Sequence, residues 1–289
     1  MTAWLVAARP ATLLASVSPV LVGSGLAAGD GVFRWDAFAI TLLTAVLLNV
    51  AVNFANDASD HARGADTAQR IGPPRAVASG LLTARQVWTG TAIVLLAACA
   101  GGMYLAWISG PLILVIGAAA IIAALAYTGG PWPYGYHGLG EVFVFLFFGL
   151  AAVAGSRYVH DAAIPGEAWL LAVPVGFLVT AILVANNIRD LDTDREAGKQ
   201  TLAVILGRRR TKVLFAVLVY GAFAATAAFA ATELLPPWTS IVLAALPLAI
   251  GPVRVVFSEA GGRYLVSALK ATARLHLIVG ALLAVGVAL

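Results

Sequence analysis

Long apolar runs set the class of fold that this 289-residue chain can adopt. Most of them have about 17 or more residues, enough to cross roughly 30 Å of hydrocarbon as α-helix. The alternation of apolar and polar residues that a membrane β-barrel requires is absent. The runs lie at residues 11–28, 37–55, 88–107, 110–127, 139–156, 168–187, 213–231, 237–253 and 275–289. The sequence therefore predicts an all-α, polytopic membrane bundle of about nine transmembrane helices, forming one domain over residues 1–289.

Composition supports this class. The chain is 61% hydrophobic and only 11% charged, whereas soluble domains carry about 25% charged residues. The first run follows Arg9 and invites comparison with a cleaved signal peptide, but it is longer than the apolar region of such signals, so we interpret it as the first helix. The single cysteine, Cys99, permits neither an internal disulfide nor a cysteine-based metal site, and we expect it to pack in the core.

The basic residues predict an orientation. Sixteen of the eighteen Lys and Arg residues fall in the N-terminal segment and the even-numbered loops, and only Arg34 and Arg157 fall on the opposite side. The positive-inside rule then places the N-terminus and the even loops in the cytoplasm of a cell membrane. The net charge of +4 is therefore a topology signal, and no nucleic-acid motif accompanies it. All seven tryptophans lie near predicted helix ends, as an interfacial belt requires.

Half of the fourteen carboxylates lie in two short clusters, in loops 2 and 6. "NFANDASDHARG" begins at Asn53, and "NIRDLDTDREAG" begins at Asn187, an offset of 134 residues. Each cluster follows a long apolar run and precedes basic residues and another helix. This pattern suggests an internal duplication of a helix–acidic loop–helix unit, with the acidic loops at 56–86 and 188–212.

The spacing places each cluster on one face of a helix. Residues three or four apart share a face, which groups Asn53 with Asp57 and Asp60, and Asn186 with Asp190 and Asp194. Gly64 and Gly198 each come four residues after the last Asp of the stripe, where a helix-terminating glycine belongs. The carboxylates thus occupy C-terminal helical turns, where the helix dipole and their mutual repulsion both oppose them.

A divalent cation offsets such a concentration of negative charge. Mg²⁺ binds through one or two carboxylates plus substrate phosphates, and basic side chains bind phosphate oxygens directly. We therefore interpret the two stripes as a site for a diphosphate held through Mg²⁺. The basic residues around them are Arg63, Arg70, Arg75, Arg189, Arg195 and Lys199.

These residues resemble the UbiA superfamily of membrane prenyltransferases, over nearly the whole chain. The superfamily has two Asp-rich motifs on loops 2 and 6 of a nine-helix bundle, and they match here as Asn53-x3-Asp57 and Asp190-x3-Asp194. Within the superfamily, three stretches are similar to the 1,4-dihydroxy-2-naphthoate polyprenyltransferases of menaquinone synthesis. They are "NDASDHARGADTAQRIGPPRAVASGLLT", "YTGGPWPYGYHGLGEVFVFLFFG" and "NNIRDLDTDREAGKQTLAVILG".

The resemblance implies a reaction and a set of roles. A prenyl diphosphate would ionise to an allylic cation, a naphthoate ring carbon would attack it, and the acceptor would lose its carboxyl as CO₂ to give the demethylated menaquinone. The implied Mg²⁺ ligands and their supporting residues are Asp57, Asp60, Asp66, Asp190, Asp194, Asn53 and Asn186. The implied phosphate contacts are Arg63, Arg189 and Lys199. The Phe-rich segment 143–148 is either part of the channel for the isoprenoid tail or ordinary packing surface.

Loop 4, "TGGPWPYGYHG", carries no acid, Lys or Arg, although it lies on the same side as the two acidic loops. Its density of Gly, Pro and aromatic residues indicates an ordered loop. We expect it to cover the site and to help hold the aromatic acceptor. The candidate polar contacts are Tyr136 and His137, with Glu141 at the head of the next helix, where it either serves the site or pairs locally.

Three alternatives remain open. A cation-coupled transporter or a channel would place ionisable groups near the midplane of the membrane, whereas these acids cluster at one surface. Membrane phosphatidyltransferases also use Asp-rich Mg²⁺ sites, but their D-G-x2-A-R signature is not met, because Ala58 follows Asp57. Within the superfamily, the acceptor is alternatively 4-hydroxybenzoate or homogentisate. The sequence gives neither the length of the prenyl chain nor the oligomeric state.

Overall fold

A computed structural model of the protein describes residues 3–65, 71–258 and 262–289. In these ranges it contains eight helices that are long and apolar enough to cross a membrane, and one shorter apolar helix. Each of the nine coincides with one predicted run, so the prediction of an all-α membrane bundle of about nine helices is confirmed. The chain is an integral membrane protein.

A short helix, α1 (Ala3–Ala8), precedes the bundle. The bundle consists of α2 (Pro10–Gly29), α3 (Trp35–Ala62), α4 (Ala84–Ser109), α5 (Leu112–Ala126), α6 (Gly140–Val144), α7 (Ala152–Asp161), α8 (Gly166–Glu196), α9 (Leu202–Ala231), α10 (Leu246–Phe257) and α11 (Gly262–Ala288). A π-helical stretch, Phe145–Ala151, joins α6 to α7 in one span, and a 3₁₀ segment, Pro237–Ala245, leads into α10 in the same way.

Helix α8 forms the centre of the molecule and is the most buried of the long spans. Its fully buried Leu171, Leu178 and Ile188 belong to the main apolar cluster, which also takes in side chains from α2, α9 and α11. Because lipid tails are as apolar as these side chains, close packing rather than hydrophobicity holds such helices together. The second acidic cluster therefore lies at the end of the helix with the most neighbours to position it.

Small residues bring α2 and α11 together. An added Cβ on Gly25 would lie 2.6 Å from the backbone of Ala284, and one on Gly280 would lie 1.8 Å from Ser18 Oγ. The Ser18 hydroxyl in turn donates to the backbone carbonyl of His276 at 2.8 Å. Small residues at such contacts let helix backbones approach closely in a membrane, so these glycines fix how the first and last spans pack.

The outer surface of the bundle is apolar. The seven tryptophans are all exposed and lie near helix ends or in a loop, as predicted: Trp4, Trp35, Trp88, Trp107, Trp132, Trp169 and Trp238. The prediction that Cys99 packs in the core is wrong, because its side chain is exposed on α4. Most of α4 faces outward, and in a bilayer an apolar residue is as stable against lipid as inside the bundle.

Candidate functional site

The two acidic clusters lie at the ends of helices that are longer than a membrane crossing requires. Helix α3 has 28 residues and α8 has 31, which correspond to about 42 and 46 Å of helix against roughly 30 Å of hydrocarbon. The surplus turns carry the acids beyond the apolar part of each helix. The predicted positions of the clusters, at C-terminal helical turns, are therefore confirmed.

Both helices end in the same way. Gly64 has φ = 69° and Gly198 has φ = 72°, and each stands two residues after the last helical residue. The amide of the next residue returns to the carbonyl of the Asp at the helix end: Ala65 N bonds Asp60 O at 2.9 Å, and Lys199 N bonds Asp194 O at 2.8 Å. This is the Schellman arrangement, and it confirms the two predicted terminating glycines.

Asp60 joins three segments of the chain. Its carboxylate is buried at 2% exposure, forms an ion pair with Arg75 at 2.7 Å and accepts a hydrogen bond from the Tyr136 hydroxyl at 2.9 Å. Lys199 Nζ lies 3.9 Å from the same carboxylate. Loops 2, 4 and 6, which are distant in sequence, thus meet at one carboxylate.

Loop 4 (127–139) is fastened to both acidic loops. Arg63 donates from Nε to Thr128 O at 3.0 Å and from Nη2 to Gly130 O. The ring of Tyr136 lies near two cations, 5.6 Å from Arg63 Cζ and 4.9 Å from Lys199 Nζ. Gln200 N donates to Tyr136 O at 3.1 Å. Three of the predicted substrate residues, Arg63, Tyr136 and Lys199, are therefore brought together beside Asp60.

At the end of α8, Asp190 is neutralised by its sequence neighbour. Both carboxylate oxygens accept hydrogen bonds from Arg189, at 2.7 Å for Nε, and Arg189 also donates to Asn186 Oδ1 at 2.8 Å. Arg189 and Asp190 are buried. Asp192 faces the other way, exposed and paired with Arg208 at 2.7 Å. Asn186 and Asp190, two of the three residues predicted to share a face with Asp194, are thus both bonded to Arg189.

Tyr127, which directly follows α5, shows that the acidic groups converge. Burial raises the pKa of its phenol well above the usual value, and the negative charges of Glu141, Asp60 and Asp194 raise it further. These carboxylates belong to three different helices, α6, α3 and α8. The Tyr127 hydroxyl therefore lies within the field of both acidic clusters and of the acid at the head of α6.

Asn53 and Asp57 make contacts that the spacing did not indicate. Asn53 donates from Nδ2 to Ala8 O at 2.9 Å and to Thr12 Oγ1 at 3.1 Å. Asp57 is fully buried, and its two oxygens accept from consecutive backbone amides, Ala76 N at 2.9 Å and Val77 N at 3.0 Å. Asn53 thus anchors the N-terminal segment, and Asp57 anchors the loop that carries Arg75.

The remaining predicted residues occupy different environments. Glu141 is buried, and its Oε1 accepts from Asn187 Nδ2 at 2.9 Å. His137 is exposed, stacks on Trp132 at 4.7 Å between ring centroids and has Nδ1 2.9 Å from Pro133 O. Asp66, a predicted metal ligand, lies outside the described residues, as does Arg70.

The few carboxylates at the site fit a metal ion that takes its other ligands from a bound substrate. Among the described residues, no group of three His, Cys, Asp or Glu side chains is arranged to hold a metal ion. Asp60 and Asp190 are nevertheless buried carboxylates, each beside an arginine, and the other nearby cations are Arg63 and Lys199. Carboxylates in small number next to phosphate-binding cations suit Mg²⁺, which takes the rest of its oxygen ligands from phosphate and water.

Sequence reasoning missed Tyr127, Asn187 and the central position of Arg75. Tyr127 is the last residue of the predicted run 110–127 and opens the loop 4 stretch, and an aromatic hydroxyl at that boundary was the available signal. Asn187 begins the repeated N-x6-D-x3-G pattern, but the face argument favoured its neighbour Asn186. The partner of Arg75 had no signal, since loop 2 carries several arginines of equivalent appearance.

A row of aromatic rings leads away from the acids along the start of α6. Tyr134 stacks on Phe143 at 4.0 Å between centroids, and Phe143 stacks on Phe147 at 6.2 Å. Tyr127 packs edge-on against Tyr134 at 5.4 Å. The row continues into the π-helical stretch, a feature that is frequent at functional sites. The row therefore connects the aromatic residues of loop 4 with the span that contains α6.

Comparison with known proteins agrees with this arrangement. A family model described as the UbiA prenyltransferase family matches residues 16–263. The 1,4-dihydroxy-2-naphthoate octaprenyltransferase of Mycobacterium tuberculosis is 42% identical over 286 residues, which cover 98% of this chain and 95% of that protein.

Solved structures share the fold at low sequence identity. The apo structure of a UbiA homolog from Aeropyrum pernix K1 has a TM-score of 0.71 at 18% identity, covering 95% of this chain and 96% of that one. A UbiA homolog from Archaeoglobus fulgidus, bound to DMAPP and Mg²⁺, has a TM-score of 0.66 at 15% identity, covering 96% and 97%.

Proposed function

Since the chain belongs to the UbiA prenyltransferase family and is a membrane prenyltransferase, we propose that it transfers a polyprenyl group to 1,4-dihydroxy-2-naphthoate in menaquinone synthesis. The donor is a prenyl diphosphate. The proposal rests on one observation. Arg75, Tyr136 and Lys199 all approach the carboxylate of Asp60. The similarity to the M. tuberculosis octaprenyltransferase, over 98% of the chain, supports the choice of acceptor.

The diphosphate binds between the ends of α3 and α8. Asp60, Asp190 and Asp194, with Asp66 from loop 2, are the proposed Mg²⁺ ligands, and the metal, when bound, neutralises charge on the departing diphosphate. Arg63, Arg189 and Lys199 contact phosphate oxygens. These side chains exchange their contacts within the protein for contacts with phosphate, which binds arginine in the same bidentate way as a carboxylate.

The supporting residues hold this arrangement in place. Asn53 and Asp57 fix the N-terminal segment and the Arg75 loop through backbone contacts, and Asn186 orients Arg189. The loop 4 contacts with Arg63 and Gln200 keep that loop across the site. A covered site excludes water, which would otherwise capture the allylic cation formed when the C–O bond to diphosphate breaks.

The acceptor enters beneath loop 4. Tyr136, His137 and Glu141 are the proposed polar contacts for its hydroxyl and carboxyl groups, and the aromatic row from Tyr134 to Phe147 lines the path of the isoprenoid tail. The ring carbon that carries the carboxyl forms the new C–C bond. Loss of that carboxyl as CO₂ then gives the demethylated menaquinone at the quinol level.

We place the protein in a bacterial cell membrane with the site on the cytoplasmic side. The relative from M. tuberculosis is bacterial, and the excess of Lys and Arg lies on the side of loops 2, 4 and 6. Isoprenoid diphosphates and an ionised naphthoate would then reach the site directly from the cytoplasm.

A transfer assay tests the proposal. Membranes containing the protein are incubated with a long prenyl diphosphate and Mg²⁺, with 1,4-dihydroxy-2-naphthoate in one series and 4-hydroxybenzoate or homogentisate in others. We expect prenylated naphthoquinol with release of CO₂, abolished by EDTA and restored by added Mg²⁺. Product from 4-hydroxybenzoate or homogentisate alone would overturn the proposed acceptor, and full activity in EDTA would overturn the metal.

A further inference from the structure

Glu141 has a buried carboxylate oxygen for which the described contacts give no partner. The side chain is 5% exposed. Oε1 accepts from Asn187 Nδ2 at 2.9 Å, whereas Oε2 has no hydrogen-bond partner. A buried polar atom left unpaired costs about 1–3 kcal/mol, and such groups are rare enough to call for an explanation. An acidic residue within a membrane span is by default a candidate functional residue.

The surroundings place this oxygen at the site. Asn187, which holds Oε1, lies one helical turn before Asp190 on α8. Gly140 lies close to the ring of Tyr127, since an added Cβ there would lie 3.2 Å from Tyr127 Cε2 and 3.5 Å from the Tyr127 hydroxyl oxygen. Tyr127 in turn lies within the field of Asp60 and Asp194. Glu141 therefore stands beside the acidic clusters without belonging to either stripe.

The negative charge of Glu141 limits which reactant groups it can bind. In its ionised form, Glu141 only accepts hydrogen bonds. A diphosphate would be repelled by it, and the structure places no basic side chain against Oε2 among the described residues. The one reactant that brings a hydrogen-bond donor is an aromatic acceptor with a ring hydroxyl.

We propose that Glu141 is the general base that takes the proton of an acceptor hydroxyl as the ring attacks the prenyl cation. This inference rests on the proposed function. The C–O bond to diphosphate breaks and diphosphate keeps its electron pair. The ring carbon forms the C–C bond, the O–H pair becomes a carbonyl bond, and the proton moves to Oε2 of Glu141. The carboxylate then leaves as CO₂, its bonding pair restores the ring, and Glu141 returns the proton to the oxygen.

Glu141→Gln tests this role, because it keeps the shape and the bond to Asn187 but removes the base. We expect kcat for prenyl transfer to fall by about 10²–10⁴-fold, the usual contribution of a positioned base, while KM for the prenyl diphosphate stays unchanged. Release of diphosphate from the donor in the absence of acceptor should continue at the wild-type rate. A Glu141→Gln enzyme with wild-type kcat, or with diphosphate release reduced in parallel, would overturn the assignment.

The chain offers a matched control. Glu167 also follows a glycine in the first turn of a helix, α8, at the opposite side of the bundle, and Glu167→Gln should keep the wild-type kcat. Glu141→Asp retains a carboxylate and should transfer prenyl groups at least about ten times faster than Glu141→Gln, in line with the size of base effects. Equal rates for the Asp and Gln variants would contradict a base role.

The test of Glu141 as a base can fail or succeed independently of the test of the proposed acceptor. If the wild-type enzyme prenylates 4-hydroxybenzoate and not the naphthoate, the proposed acceptor is wrong, but the same variants still test the base, because that acceptor also carries a ring hydroxyl. If the wild type accepts the naphthoate and Glu141→Gln matches it, the base is wrong and the function stands.

Discussion

The ends of α3 and α8 have the same backbone and different side-chain neighbours. At an offset of 134 residues, Gly64 and Gly198 close identical caps. Asp60, however, binds Arg75 and Tyr136 from other loops, with Lys199 close by. Asp190 is instead held by Arg189, the residue before it. Asp60 therefore connects distant segments, whereas Asp190 forms an ion pair with its sequence neighbour Arg189.

The difference shows how a repeated local pattern acquires two roles. The α3 cluster ties loops 2, 4 and 6 together, so it sets the shape of the site. At α8, the ion pair of Asp190 with Arg189 lies within one turn, whereas Asp192 pairs with Arg208 of α9. The paired asparagines instead behave alike: Asn53 bonds Ala8, 45 residues earlier, and Asn187 bonds Glu141, 46 residues earlier. The agreement favours an internal duplication, which stays a prediction.

The largest effect is expected at Asp60. Asp60→Ala removes one ionic partner of the buried Arg75, and breaking a buried ion pair costs about 3–5 kcal/mol of stability. We expect a lowered thermal unfolding temperature in detergent and a loss of prenyl transfer of about 10³-fold, equivalent to roughly 4 kcal/mol.

The double variant separates the two losses. Asp60→Ala with Arg75→Ala leaves no uncompensated charge from this pair, so it should regain much of the stability but none of the activity. Recovery of transfer in the double variant would show that Asp60 acts only through Arg75.

Asp190→Ala should give a comparable loss of transfer, about 10³-fold by the same reasoning, with a narrower structural effect. Because Asp190 is paired with its neighbour Arg189, hydrogen exchange in loop 4 should stay at the wild-type rate, whereas Asp60→Ala should increase it. Equal loosening of loop 4 in both variants would remove the distinction between long-range and local organisation.

Asp57→Asn tests whether Asp57 positions a loop or binds metal. The substituted amide group faces a backbone N–H, so one of the two bonds to Ala76 and Val77 is lost, at a cost of about 1–3 kcal/mol. We expect faster hydrogen exchange at residues 75–77 and an unchanged Mg²⁺ requirement.

The control for Asp57 is Asp192→Asn on α8. Asp192 is exposed and paired with Arg208, and loss of such a surface pair should change stability by less than about 1 kcal/mol. If Asp57→Asn instead raises the Mg²⁺ concentration for half-maximal activity about tenfold, equivalent to roughly 1.4 kcal/mol, Asp57 is a metal ligand.

The smallest effect concerns the feature that the two ends share. Gly64→Ala and Gly198→Ala each place a side chain at positive φ, where no other atom lies near the added Cβ. Each should therefore cost only the backbone penalty of about 1–2 kcal/mol, with similar shifts in the unfolding temperature. A much larger cost at one glycine would show that the caps are not equivalent.

The spans and the helix ends were predictable because their causes are local. A run of apolar residues at about the length of a bilayer crossing forms a helix wherever it is placed in a membrane, and a glycine after a helical stripe terminates it. Cys99 marks the limit of this reasoning. Its apolar surroundings in sequence gave no sign that α4 turns that side to the outside of the bundle.

The partners of the charged residues were not predictable. Asp57 and Asp60 look alike in sequence, but one accepts from backbone amides and the other from Arg75 and Tyr136. Asn186 and Asn187 are adjacent, and only Asn187 reaches Glu141. Pairing depends on which loops return to the same end of the bundle and at what angle each side chain leaves its helix.

The sequence alone therefore determined a membrane bundle with two acidic helix ends, because hydropathy, helical spacing and glycine caps act within a few residues. Only the tertiary structure decided that Asp60 joins three loops, that Asp190 is balanced by Arg189, and that an oxygen of Glu141 is buried without a partner beside them. The contacts of Asp60 join segments 15 to about 140 residues apart, and the bond between Asn187 and Glu141 spans 46 residues. Close packing of the helices fixes these contacts, and no local pattern encodes them.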